Sequence, residues 1–121
     1  MSIWKDEHVL ERVVESLRNL NAVENNYVTA YQLAIQFAKD HGEVVDKLDL
    51  PIGGKGTGEH KSLASYLAQN ISSNIKLGDI ENIDIAFLST TWVKNMEFKD
   101  DVRKDFSASD MSAISMFKLR E

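Results

Sequence analysis

No cysteine occurs in this chain, which excludes a disulfide framework and a thiolate metal site and suits a reducing compartment. Proline occurs once, and four of the six glycines crowd into residues 53–58, so breakers are scarce elsewhere. No apolar run approaches the roughly 18 residues that span a bilayer. Residues 1–8 enter a charged amphipathic segment without the apolar stretch of a secretory signal, so a cytoplasmic protein with no membrane contact is expected. The histidines, His8, His41 and His60, are far apart and lack HxH or HxxxH spacing. No metal and no cofactor is therefore expected. No Ser/His/Asp order, cysteine nucleophile or apolar carboxylate pair stands out, so the chain reads as a non-enzyme.

What is present fits one domain spanning residues 1–121, with a hydrophobic fraction of 43% that supports a real core. Fourteen basic residues against 19 acidic give a net charge of −5. A uniform acidic surface would repel a phosphate backbone. The charge is not uniform, however. Residues 53–78 carry Lys55, Lys61 and Lys76 against Glu59, a local +2 that leaves −7 on the rest.

Hydrophobic periodicity organises the chain into helices first and strands last. Leu10, Val13, Val14, Leu17 and Leu20 recur at helical spacing and predict one amphipathic helix over residues 5–20. Asn19, Asn21, Asn25 and Asn26 then mark a polar break. Thr29 and Gln32 have the spacing of a capping box, and Val28 and Leu33 that of a hydrophobic staple, which predicts a second helix from Thr29. Gly42 reads as its left-handed stop, with a further short turn over residues 44–48. Leu63, Leu67, Ile71 and Ile75, widened by Ala64 and Ala68, predict a third helix beginning at Glu59 or Lys61 and ending at Gly78.

Beyond Gly78 the period changes from helix to strand. Ile83, Ile85 and Phe87 alternate with Asp84 and Ala86. Residues 89–96 suit either a short helix capped by Ser89 or Thr90 or a continuation of the strand. Residues 100–110, with Asp100, Asp101 and Asp105, read as a charged turn, and residues 113–119 as a closing strand. Tyr27 and Val28 suit a one-bridge strand between the first two helices.

The expected class is α+β and mainly α: a three-helix winged-helix-like domain with a small C-terminal β-hairpin. Through Gly54-Lys55-Gly56-Thr57 and Ser62-Leu63-Ala64-Ser65-Tyr66-Leu67 the chain also resembles the HARE-type helix-turn-helix domains over residues 26–87. That family's usual proline after the threonine is replaced by Gly58. The resemblance implies a DNA-associated module rather than any particular reaction.

Gly53 and Gly58 have the separation of a phosphate-binding loop, but Glu59 and His60 follow where Lys and Ser or Thr should stand. The loop is thus either a plain connector or a contact for nucleic-acid phosphates through backbone amides and Lys55. Off the apolar stripe of the third helix lie Lys61, Ser62, Ser65, Gln69, Ser72 and Ser73. Such side chains reach phosphates and base edges when a helix sits in a groove, and they also make an ordinary solvated face. No arginine lies there, which disfavours strong sequence-specific readout. The nucleic-acid-binding set is Lys55, Thr57, His60, Lys61, Ser62, Ser65, Gln69 and Lys76. Tyr27, Tyr31 and Tyr66 are assigned to packing. The expected function is a regulatory DNA-binding domain, with a homodimer allowed. The alternative is an acidic adaptor or inhibitor that uses its −7 surface to engage a basic protein.

Overall fold

A computed structural model describes residues 3–52, 62–93, 95–98, 106–109 and 113–120. Five helices and five strands follow in the order α1 (Ile3–Asp6), α2 (Val9–Asn19), β1 (Val28–Thr29), α3 (Ala30–Asp40), α4 (Gly42–Leu48), α5 (Leu63–Lys76), β2 (Ile83–Ser89), β3 (Asn95–Phe98), β4 (Phe106–Ser109) and β5 (Ala113–Leu119). The fold is α+β with a small antiparallel sheet in the order β1-β5-β2, beside a separate β3-β4 pair.

The first predicted helix is two helices. His8 adopts left-handed backbone with φ 53°, which separates α1 from α2. The Arg12 Nε donates to the Glu7 carbonyl at 2.7 Å across the break. Trp4 on α1 meets Tyr66 on α5 edge-on at 6.3 Å. The polar stop after α2 is a Schellman closure: Asn21 takes φ 56°, its amide donates to the Arg18 carbonyl, and the Ala22 amide donates to the Leu17 carbonyl.

Both halves of the α3 capping box are present. The Gln32 amide donates to Thr29 Oγ1 at 3.2 Å, and the Thr29 amide donates to Gln32 Oε1 at 2.8 Å. Val28 and Leu33, the staple pair, are both buried. Gly42 is not the stop that the sequence suggests. It begins α4, its φ is not positive, and the turn is closed instead by the Val44 and Val45 amides donating to the His41 carbonyl. At the end of α5 the expectation holds: Gly78 has φ 82°, with Gly78 and Asp79 amides donating back to Ile75 and Asn74.

The core lies where α3 packs between α2 and α5 and where the sheet closes over them. Val13 and Leu17 of α2, Leu33 and Phe37 of α3, Leu63, Leu67 and Ile71 of α5, and Ile83, Phe117 and Leu119 of the sheet are all essentially inaccessible. A polar clip fixes α2 on α3. Asp40 accepts from Ser16 Oγ and Asn19 Nδ2, both at 2.9 Å, and from Gln36 Nε2 at 3.0 Å. Beside it, Arg12 meets His41 Nδ1 at 3.0 Å and Glu43 at 3.2 Å.

The C-terminal part is richer than a hairpin. All seven residues of β2 pair with β5, from Ile83 opposite Leu119 to Ser89 opposite Ala113. The bridge expected at Tyr27-Val28 lies one residue on, with Val28 opposite Phe117 and Thr29 opposite Met116. The segment that suited helix or strand forms a turn after Ser89 and then β3, whose Phe98 stacks on Tyr31 at 5.1 Å. β4 falls inside the stretch read as a charged turn and pairs with β3. Asp100, Asp101 and Asp105 lie outside the described residues.

Candidate nucleic-acid interface

α5 is the longest described helix and carries no acidic side chain along its 14 residues, LASYLAQNISSNIK. The acidic residues of the helices stand on the other ones, among them Glu11, Glu15, Asp40 and Glu43. β5 also lacks a carboxylate, and the single one on β2, Asp84, is bound by Lys118 Nζ at 3.1 Å and Arg120 Nε at 2.7 Å. Those hydrogen bonds, from Arg120 first and Lys118 second, hold its carboxyl below the ordinary value of 3.8. α5 and β5 themselves thus carry no carboxylate, and the exposed Asp79 and Glu81 follow just beyond the end of α5.

Along α5 lies a shallow, open groove of about 330 Å³, lined by Ala68, Gln69, Ser72, Ser73 and Lys76 of α5 and by Ser115 of β5. Its location follows from helix geometry. Leu63, Leu67 and Ile71 turn inward, so positions 69, 72, 73 and 76 face outward on successive turns. Ser115 joins them because β5 pairs with β2 in the register that sets it opposite Phe87. Phe87 itself is 64% exposed and is not part of the groove lining.

Of the predicted residues, Gln69 and Lys76 line this groove together. Ser62 and Ser65 serve the start of the helix instead. Ser62 is buried, and its Oγ accepts from the Ser65 amide and donates to Ser65 Oγ, both at 3.1 Å. The next amides are occupied as well: Leu63 donates to the Pro51 carbonyl at 2.7 Å and Ala64 to the Ile52 carbonyl at 3.0 Å. The first turn of α5 thus has its donors satisfied internally and offers none of these three to an anion. Lys55, Thr57, His60 and Lys61 lie outside the described residues.

Ser72 and Ser73 were legible as off-stripe positions of the helix. Ser115 was not assigned to the face, because only the fold of the sheet brings it there. Among the described residues no group of three or more His, Asp or Glu could hold a metal, and no helix is long and apolar enough to cross a membrane. Comparison with protein-family models, with curated proteins and with solved structures gives no match.

Proposed function

We propose that the chain is a winged-helix-like DNA-binding domain whose α5 lies against the duplex. The observation that carries this is the acid-free α5 groove in a chain of net charge −5. A phosphate backbone is repelled by a carboxylate-bearing face, and no carboxylate lines this groove. Element order and strand order support the winged-helix assignment. A short strand between the first helices pairs with the last strand, which in turn pairs with the strand that follows the third major helix. In this reading the long excursion between β2 and β5 serves as the wing.

In this reading Lys76 neutralises a phosphate, and Gln69, Ser72 and Ser73 offer uncharged hydrogen bonds along the backbone or base edges. Lys55 and Lys61, which precede α5 in the sequence, are the further cations proposed for phosphate contact. With few cations the binding is weak and governed by backbone contacts rather than by sequence.

Fluorescence titration against mixed-sequence duplex DNA at low and rising salt tests this. Binding that falls with salt is expected, and Lys76→Glu with Lys55→Glu should weaken it for all sequences alike. The salt slope should flatten by about one for each phosphate that is no longer neutralised. Absence of binding at low salt would overturn the proposal and favour an acidic adaptor that engages a basic protein.

A further inference from the structure

β2 is an edge strand of the three-stranded sheet, and nothing among the described residues pairs with its outer side. Which of its groups face outward follows from the ladder. The Arg120 amide donates to the Asn82 carbonyl at 2.8 Å, so residue 82 and then every second residue, Asp84, Ala86 and Leu88, point their backbone groups at β5. Ile83, Ile85, Phe87 and Ser89 therefore direct their amides and carbonyls away from the sheet. None of these four makes a backbone bond outside the sheet among the described residues.

Edge strands are ordinarily guarded by lysine, proline, a bulge or shortness. β2 has none of these guards: it runs seven residues, IDIAFLS, in unbroken register. Its one charge, Asp84, is already matched by Lys118 and Arg120. Three of the large exposed apolar side chains flank or occupy it. Leu77, on the turn leading in, is 74% exposed, Phe87 is 64% exposed, and Trp92, on the turn leading out, is 99% exposed with left-handed backbone.

We propose that β2 pairs antiparallel with β2 of a second copy of this chain, joining two three-stranded sheets into one of six strands. The strand is complementary to itself in that orientation. Pairing centred on Ala86 sets Ile85 opposite the partner's Phe87 and Phe87 opposite the partner's Ile85, all on one face. The two Asp84 side chains then stand well apart, each opposite the partner's Leu88. Antiparallel order also carries the Trp92 turn of each copy toward the other's 77–82 segment, where Leu77 stands exposed. A parallel copy, or an unrelated strand, would not bring the two exposed ends together. An aromatic side chain buries roughly 150–250 Å². Two copies of Trp92 and Phe87, with the strand backbones, thus approach the roughly 1,000 Å² that a specific interface requires. A two-fold contact of this kind is isologous and closes, so it stops at a dimer.

Sedimentation velocity of the full chain over a concentration series, with hydrogen exchange at both ends of the series, tests the pairing. The mass should rise from one chain to two. The Ile85 and Phe87 amides should exchange rapidly when dilute and become protected when concentrated, while Asp84, Ala86 and Leu88 are protected throughout. Phe87→Lys, at an exposed position that leaves the fold and its circular dichroism unchanged, should weaken association about tenfold or more. A monomer at every concentration overturns the proposal. So does protection of Ile85 and Phe87 that is independent of concentration, since another segment of the same chain would then hold the edge. Association that survives Phe87→Lys with those amides still exchanging would place the contact elsewhere and equally overturn it. None of these outcomes depends on DNA binding.

Discussion

Leu67 offers the sharpest test of how α5 is held. Its side chain is completely buried in the core that α5 shares with α3 and the sheet. Leu67→Ala removes three carbon groups, which at about 0.8 kcal/mol each amounts to about 2.4 kcal/mol of transfer free energy. The vacated space adds to that, because the surrounding core collapses only partly, and the sum falls at about 3–4 kcal/mol within the usual range of about 2–5. A domain of this size has about 5–15 kcal/mol in all, so the melting temperature should fall by roughly 10 °C or more. Ser73→Ala, on the outward face of the same helix, should change stability by less than about 0.5 kcal/mol. Thermal and denaturant unfolding of the pair, monitored by far-UV circular dichroism, reads the difference. Equal melting of Leu67→Ala and the parent, or a Ser73→Ala variant as damaged as Leu67→Ala, would refute the inward and outward assignment of α5 and the groove with it.

The cap and the acid response give two further expectations. Thr29→Ala breaks the box at the start of α3 and should cost about 1 kcal/mol in chemical denaturation, while Thr29→Ser or Thr29→Asp recovers most of it; equal stability of all variants would deny the box any role. Partial burial pushes the Asp40 carboxyl upward, but hydrogen bonds from Asn19, Ser16 and Gln36, with the neighbouring His41, outweigh it and hold the group below 3.8. A carboxyl depressed in the folded state contributes stability that is fully present above its ordinary value and is lost as pH falls through the lower folded one. Unfolding midpoints of the parent should therefore drop through and below pH 3.8 more steeply than those of Asp40→Asn, by a small amount because the carboxyl stands largely in water. Parallel profiles for the two would show that the Ser16–Asp40–Asn19 clip contributes nothing through charge.

Helices that are fixed by local chemistry were legible in the sequence, and those fixed by packing were not. The α3 start and the α5 end rest on contacts within a few residues, Thr29 with Gln32 and Gly78 with Ile75 and Asn74, so spacing alone reveals them. The break at His8 is different. Residues 5–20 keep one helical stripe on paper, yet the helix is interrupted at His8, and Trp4 packs on Tyr66, a partner 62 positions on. Gly42 shows the converse failure. Glycine near a helix end suggests a left-handed stop, but the His41 carbonyl accepts from both Val44 and Val45, and the chain simply begins another helix. β4 escaped because four residues, FSAS, are too short to show alternation against charged neighbours.

The candidate face divides along the same line. Gln69, Ser72, Ser73 and Lys76 share one side of α5, and a 3.6-residue period places them there without knowledge of the fold. Ser115 enters through the fold of the sheet, where β5 pairs with β2 and Ser115 stands opposite Phe87, 28 positions away, which no local pattern encodes. Ser62 shows why residue type is a poor guide to role. As a serine just ahead of a leucine-striped helix it suits a phosphate contact and a cap equally, and burial with its Oγ on the Ser65 amide commits it to the cap. The same step removes the first turn of α5 as an anion site and moves the weight of the proposed interface about two to four turns along, to Gln69 and Lys76. An interface built there, on one cation and several small polar groups, can slide along a duplex more readily than it can read one. Sequence preference, if the domain has it in the cell, then has to come from pairing two such faces at a fixed spacing, which is what antiparallel union of two β2 strands would supply.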